Sequence, residues 1–327
     1  MKEVIDFLLK NREKKCIITF HSHGDIDACA SAYAMHVFLP SSTILAPDSP
    51  SFKSIKIFQN LGIFSSINIF NKPEVSIINE ADFIVFVDMS SYSVSSLGEI
   101  LKEVEKPKIV IDHHEEESDQ IKGINFVNKD YPSTTSIIFD IFENINFQYS
   151  KEVAFLLLLG IISDSPELRT ASPRTFYQIS KLLEKANISF DYAKETIETS
   201  ISPVSRAEIL QEIKNKIEYK VAKGNLFGYG IVGNYISVSY VANLLIANGC
   251  DFVIVGAKGK ENNRISLRAK VGKNIDLSKI ATIYAKRLNG SGGGHKYSSG
   301  LYWKEKNEKE SLENIIQQLI REIELRI

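Results

Sequence analysis

The sequence predicts an α/β protein: an N-terminal mainly parallel sheet flanked by helices, a helical linker, and a smaller C-terminal α/β lobe. Three observations carry that expectation. Short runs of Ile, Val and Phe alternate with longer periodic segments through the first half, as strands covered on both faces by helices require. Residues 187–220 turn polar and helical, with Pro203 inside and few strand signals. Beyond them strand-like and helix-like segments resume, and 327 residues suffice for two domains of about 150 residues each. The expected boundaries are 1–186, 187–220 and 221–327.

Taken in order, the first ten residues read as an amphipathic helix, because Glu3 and Asp6 interrupt the apolar stretch and no cleavage site follows. Cys16–Phe20 is a strand, and Ala28–Phe38 a helix. Thr43–Ala46, Ile67–Phe70, Phe83–Val87 and Lys108–Ile111 are further strands. The longest apolar run, Val153–Ile162, is a core helix, well short of the roughly 20 residues that span a membrane. In the last third the pattern reads strand Phe227–Val232, helix Tyr240–Ala247 stopped by Gly249, then strands Phe252–Ala257 and Arg264–Ala269. A helix Leu277–Leu288, a Gly-rich loop, a short strand and a closing helix Ser311–Leu325 complete the chain.

Composition narrows the function classes. Charged residues make up 24% and basic and acidic side chains nearly balance at a net charge of -1, which excludes a wholly basic nucleic-acid coat while allowing a local patch. Cys16, Cys29 and Cys250 are scattered, odd in number and without C-x-x-C spacing. They offer neither a disulfide framework nor a zinc knuckle, read as buried small residues, and fit a reducing cytoplasm. No membrane association is expected.

The chemistry gathers at strand ends, where open α/β sheets place it. His21-Ser22-His23-Gly24-Asp25-Ile26-Asp27 follows the first strand. One imidazole and two carboxylates at this spacing can converge on a divalent cation; the structural alternative is a polar loop with Asp27 capping the next helix. Asp88 follows the Phe83–Val87 strand, and alone would be an ordinary turn residue. Asp112-His113-His114 ends the next strand, its imidazoles expected on different sides, one toward a metal and one toward a ligand. Glu115, Glu116 and Glu117 read as a solvated run. Asp164 closes the apolar helix. Four carboxylates and two imidazoles among His21, Asp25, Asp27, Asp88, His113 and Asp164 suit two metals sharing a bridging carboxylate. Without cysteine they favour manganese, with magnesium, cobalt or iron as alternatives. Two such ions about 3.5–4 Å apart can ionise a water and clamp a phosphoryl group.

The second lobe adds an anion-binding signature. Residues 251–300 carry ten basic side chains against three acidic ones, the local excess expected of a phosphate site. Glycines at 292–294 let a backbone approach an anion closely.

With these motifs quoted, the chain resembles the DHH phosphoesterase superfamily. The likeness rests on His21-x-x-x-Asp25-x-Asp27, Asp88, Asp112-His113-His114 and Asp164 in order, and on Gly292-Gly293-Gly294-His295-Lys296-Tyr297-Ser298-Ser299-Gly300. The latter looks like the signature of a C-terminal DHH-associated domain, with serines in place of its paired alanines. Ile265–Lys270 resembles the strand whose arginine contacts substrate in members of the nanoRNase/pAp-phosphatase (oligoribonuclease) type.

The resemblance implies that His21, Asp25 and Asp88 hold one ion, that Asp27, Asp88, His113 and Asp164 hold the other, and that Asp88 bridges. It makes His114 a substrate-facing catalytic residue and Asp112 the group that orients both imidazoles. Arg268 and His295, with Gly293, Gly294 and Lys296, would grip substrate. Ser133–Ser136 reads as a helix cap with a role toward substrate; His36 reads as structural, and Tyr297 as either a base-stacking or a core aromatic.

The implied activity is a manganese-dependent, two-metal phosphodiesterase cutting short single-stranded oligonucleotides or dinucleotides to nucleoside monophosphates, with pAp as a further substrate. Magnesium or cobalt could replace manganese, and family habit allows a homodimer. The alternatives are a RecJ-type exonuclease, a pApA or cyclic di-AMP phosphodiesterase, an inorganic pyrophosphatase, which the Gly292–His295 segment argues against, and an inactive replication scaffold.

Overall fold

The computed structural model describes residues 1–327 apart from 71–74, 115–118, 166–167, 169–170, 200–202, 260–261 and 306–309. The Glu115–Glu117 run therefore lies outside the described residues. The chain divides into two compact units, residues 1–201 and 202–327.

In the first unit six strands, β1 (Cys16–Thr19), β2 (Ser42–Ala46), β3 (Ile67–Ile69), β4 (Phe83–Val87), β5 (Lys108–Asp112) and β6 (Ile124–Val127), form one sheet in the order β3-β2-β1-β4-β5-β6. Every pairing is parallel. The alternation of side chains along a strand explains the runs of apolar residues. Phe83, Val85 and Val87 of β4 enter one core, and Ile84 and Phe86 enter the core on the other face. The larger core is shared with α2 (Ile26–Phe38), α6 (Thr134–Asn144) and α7 (Lys151–Asp164), supported by α8 (Pro173–Ala186). Chain order reverses between β1 and β4. That break opens a crevice at the carboxyl ends of the strands, where sheets of this kind bind ligands.

The second unit is a mixed sheet in the order β11-β12-β10-β9-β8-β7. Its strands are β7 (Ile217–Ala222), β8 (Asn225–Val232), β9 (Phe252–Lys258), β10 (Asn263–Ala269), β11 (Ser291–His295) and β12 (Ser298–Trp303). Only β8 and β9 are parallel neighbours. α12 (Leu277–Arg287) and α13 (Leu312–Arg326) share one core with it, and Val241, Ala242 and Leu245 of α11 (Val238–Ala247) are buried.

Two expectations are corrected here. Residues 292–295, read as a Gly-rich loop, are strand β11, paired along its length with β12. Glycine disfavours strands, but this segment lies at the sheet edge, and a Cβ on Gly294 (φ 128°) would sit 2.5 Å from the Ser298 carbonyl oxygen. The polar segment 187–220 is helical over Phe190–Thr199 and α10 (Pro203–Lys216), but Ile217–Lys220 belongs to β7. The apolar–polar alternation of Ile217-Glu218-Tyr219-Lys220-Val221 is a strand signal, but β7 follows α10 without a turn residue between them, which hides the boundary. Among the described residues no helix is long and apolar enough to cross a membrane.

Candidate metal centre

The six expected ligands leave five elements of the first unit, Asp25 and Asp27 both standing at the start of α2. His21 stands two residues beyond β1. Its Nδ1 lies 2.8 Å from the Ser22 carbonyl oxygen, so Nδ1 carries the proton and Nε2 is the ligand atom. Nε2 is 3.4 Å from Asp88 Oδ2 and 3.9 Å from Asp25 Oδ1. Asp25, not Asp27, caps α2, accepting from the Ala28 amide at 3.0 Å. The capping alternative for Asp27 is thus corrected: the helix begins at Ile26, two residues earlier than its apolar pattern suggested.

Asp27 is fully buried and its carboxylate is held by the first turn of α6. The Thr134 amide donates to Oδ2 at 2.6 Å, and the Thr135 amide and hydroxyl donate to Oδ1 at 2.9 and 2.6 Å. Ser133 supplies the expected cap to α6, its Oγ accepting from the Ser136 amide. A helix N-terminus favours the ionised carboxylate. Gly160 on α7 makes room for this contact: a Cβ there would lie 2.5 Å from Thr135 Oγ1 and 2.8 Å from Asp27 Oδ1.

Asp88 follows β4 in the left-handed region, φ 58°, which Asp tolerates better than most residues. Its two oxygens face different partners. Oδ2 faces His21, while Oδ1 accepts from Thr134 Oγ1 at 2.9 Å and lies 3.5 Å from His113 Nε2. His113 Nε2 is also 3.1 Å from Asp164 Oδ2 and 3.9 Å from Asp27 Oδ2. Asp88 therefore belongs to three clusters of metal-ligating type, His21–Asp25–Asp88, Asp27–Asp88–His113 and Asp88–Asp112–His114, and the first two contain the expected ligands alone.

Asp112 Oδ1 accepts from His114 Nδ1 at 2.7 Å and from the amides of His113 and His114. Its carboxylate thus bonds the His114 ring, whereas toward His113 its bond reaches the main chain. The imidazoles do not diverge either. Their centroids lie 4.4 Å apart, tilted by 53°, because β5 ends at Asp112 and strand alternation stops there. His36 bonds Ser42 Oγ at 2.8 Å in a structural role. His23 is exposed, with its amide donating to Asp48 Oδ1.

Sequence reading missed the support layer. Ser136 Oγ donates to Gln178 Oε1 at 2.5 Å, and Gln178 Nε2 donates to the Ser136 carbonyl at 3.1 Å and to Asp140 Oδ1 at 2.9 Å. Arg174 clamps Asp140 and donates to the Tyr131 hydroxyl. This fully buried glutamine fixes the turn that holds Asp27. The signals were faint: a lone glycine within an apolar helix, and a Thr-Thr pair that any cap could contain.

Electrostatics test whether cations fit. Burial, and then the charges of Asp164 and Asp88, push the Asp25 carboxyl up to about 6. Burial and Asp88 push Asp27 up in the same way. Burial opposes charge on His21, yet its bond to Asp88 and the charges of Asp25 and Asp88 outweigh that and lift the imidazole to about 10. The cluster draws positive charge into itself, with the His21 imidazole facing buried Asp88 Oδ2 at 3.4 Å. Carboxylates and imidazoles converging without thiolates suit hard to borderline divalent ions. The donor set fits a divalent metal.

In the second unit Arg268 lies on β10. Its Nε donates to Asn243 Oδ1 at 2.9 Å and its Nη1 to the carbonyls of Leu267 and Ser299. No carboxylate pairs with it among the described residues, and burial lowers its guanidinium to about 10. His295 ends β11, with Gly293 and Gly294 preceding it; its carbonyl accepts from buried Ser299 Oγ at 2.9 Å. That bond satisfies one of the serines that replace alanines. Lys296 lies over the Tyr297 ring at 5.1 Å, and Tyr297 packs against the core. Part of the basic excess is spent internally, on Lys258–Glu305, Lys273–Asp251 and Lys279–Asp276 pairs.

Comparison with known proteins agrees with this division. Residues 15–161 match the DHH family, N-terminal domain, and residues 233–324 the DHHA1 domain. An uncharacterized protein of Methanocaldococcus jannaschii is 27% identical over 96% of this chain and 94% of its own length. An exopolyphosphatase-related protein from Bacteroides fragilis shares the fold with a TM-score of 0.81 at 20% identity, covering 99% of this chain and 97% of that one. RecJ from Thermus thermophilus, in complex with Mn2+, superposes with a TM-score of 0.52 at 14% identity over 99% of this chain and 54% of that one. The chain thus carries a DHH domain followed by a DHHA1 domain, which fits a DHH phosphoesterase with a C-terminal DHHA1 domain, a superfamily whose members are metal-dependent hydrolases.

Proposed function

We propose that the protein is a manganese-dependent phosphodiesterase that hydrolyses short single-stranded oligonucleotides or dinucleotides to nucleoside monophosphates. The observation that carries this reading is the carboxylate of Asp88, whose two oxygens face separate His and Asp groups. His21, Asp25 and Asp88 would hold one ion, and Asp27, Asp88, His113 and Asp164 the other. Bound there, two divalent cations would supply a nucleophile at neutral pH and neutralise charge developing on a phosphoryl group.

The chain's own residues do the rest. Asp112 fixes the His114 ring through Nδ1, leaving Nε2 as the atom assigned to a phosphoryl oxygen or the leaving oxygen. Burial opposes charge on His114, but the bond to Asp112 and the charge of Asp88 raise its pKa, which suits an imidazolium that delivers a proton to the departing oxygen. Thr134 and Thr135 keep Asp27 and Asp88 aimed. Arg268, with at least two guanidinium donors to spare, is assigned the substrate's distant phosphate, and His295, Gly293, Gly294 and Lys296 neighbouring contacts. A single guanidinium favours one terminal phosphate over the continuous basic track that long strands need.

The test is manganese-supported turnover of 5′-phosphorylated RNA and DNA from two to twenty-four nucleotides, with pAp, cyclic dinucleotides and pyrophosphate alongside and an Asp88→Ala control. Rates that peak at two to five nucleotides are expected. Uniform rates per bond on long strands would replace this reading with a RecJ-type exonuclease, and silence on every substrate with an inactive scaffold.

A further inference from the structure

The turn that carries His21 and Asp25 also carries a residue the metal centre does not use. His23 lies between them at φ 59°, a left-handed conformation uncommon for a residue with a side chain. Its amide donates to Asp48 Oδ1 at 2.6 Å, and its Nδ1 stands 3.8 Å from the same oxygen, which leaves Nε2 as the outward atom. The ring is 83% exposed. A main chain held in a costly conformation, with no packing gained by its side chain, points to a use for that side chain at the surface.

The next residue, Gly24, ties this turn to α3 (Phe52–Asn60). Its carbonyl accepts from the Ser51 amide at 2.9 Å and from buried Ser54 Oγ at 3.1 Å. Phe52, the first residue of that helix, therefore stands beside the metal-binding turn, and it is 68% exposed. A lone exposed apolar side chain needs no explanation, but this one is an aromatic ring on a fixed support. A further segment braces the same turn. The Ser22 amide donates to the Val94 carbonyl at 2.9 Å, the Ser96 amide to Ser22 Oγ at 2.9 Å, and Ser96 Oγ to the Pro47 carbonyl at 3.1 Å. A nucleotide with its phosphate at the metals carries its base one sugar away, so a surface for that base must lie on the rim of the centre, where these two rings are. A ring held on a rigid rim loses little freedom on stacking, and every base has a π-face to offer it. The imidazole adds one hydrogen-bonding nitrogen.

We propose that Phe52 and His23 form the seat for the base of the nucleotide whose phosphate meets the metals, with Phe52 as the stacking face and His23 Nε2 as a polar contact. The seat makes the chain prefer nucleotides to phosphate compounds that lack a base. This inference deepens the proposed function and rests on its nucleotide substrate.

The test is calorimetric titration of the manganese-loaded full chain with AMP and with ribose 5-phosphate, which lacks the base. Phe52→Ala and His23→Gly are titrated beside the parent; the first side chain is exposed, and glycine accepts the positive φ of the second site. AMP should bind the parent about tenfold more tightly than ribose 5-phosphate, and Phe52→Ala should lose about that factor for AMP alone, the scale of one base–aromatic stack. His23→Gly should weaken AMP about threefold, as the loss of one hydrogen bond does. Phe52→Trp then places a reporter at the seat itself. The chain's single native tryptophan, Trp303, is buried in the second unit, so AMP should quench the added indole and ribose 5-phosphate should not. Equal affinity of the parent for both ligands, AMP binding untouched by Phe52→Ala, or an indole that AMP does not quench would overturn the proposal. Any of those results in a chain that cuts oligonucleotides would remove the seat and keep the proposed function. AMP preference and quenching in a chain that cuts none would keep the seat and remove that function.

Discussion

The two sheets carry their chemistry in different places. In the parallel sheet the central strands are mostly apolar, and every candidate ligand sits just past a strand end or at a helix end, drawn from positions as far apart as 21 and 164. In the mixed sheet Arg268 and His295 lie on the strands themselves, and the second is placed by one hairpin. A centre assembled from distant segments depends on the whole core to bring its carboxylates together. A contact carried by one hairpin depends on its neighbours alone. Lesions in the first unit should therefore act on metal and turnover together, and lesions in the second on substrate affinity.

The largest effect is expected at Asp88. Asp88→Asn removes charge from both clusters at once, and turnover should fall by at least about 10³-fold, the scale of losing a group that offsets transition-state charge. An Asp88→Asn protein with near-normal kcat would remove the shared-carboxylate account. Next comes the layer behind Asp27. Gln178→Met keeps volume but loses all three bonds to Ser136 and Asp140, and Thr135→Val loses the hydroxyl on Asp27. Each should weaken manganese binding about 10- to 100-fold. Their double mutant should be less than additive, because both act through the same turn. Calorimetric titration decides, with Leu182→Ala on the same helix as a control that destabilises without touching the turn.

On the other side of the comparison, Arg268→Lys should raise KM about tenfold while leaving kcat within a factor of two. It loses a charge-assisted bond of ~1.5 kcal/mol but leaves the metal centre alone. An equal fall in kcat would place Arg268 in the chemical step and erase the contrast between the units.

The smallest effect is with pH. Asp25, raised to about 6, and His21, raised to about 10, take up protons that compete with a cation. Metal binding must release protons, and affinity must weaken as pH falls. Between pH 7.5 and 7.0 the loss should be about threefold for each proton released. Titrations in buffers of different ionisation enthalpy count those protons.

Much of the architecture was legible because burial on both faces writes itself as unbroken apolar runs, and the ligands because Asp and His at the ends of such runs have few structural uses. The illegible parts have physical reasons. Thr134 and Thr135 act partly through main-chain amides, which any residue supplies. Gly160 acts by lacking a Cβ. Gln178 acts through a turn it meets only in the folded chain. β11 escaped notice because three glycines carry no strand signal, and β7 because it follows α10 with no turn residue to mark the change. The capping alternative for Asp27 stayed open in the sequence for a related reason: capping and metal ligation use the same carboxylate, and only the folded chain shows the amides of α6 that hold it.

The central claim is a two-cation centre organised by one carboxylate, and its most direct measurement is manganese titration of the full chain by electron paramagnetic resonance. Two ions per chain with a spin-coupled signal at saturation are predicted, one ion for Asp25→Asn, and no coupled signal for Asp88→Asn. A single uncoupled ion in the parent protein, or a coupled pair that survives Asp88→Asn, would contradict it.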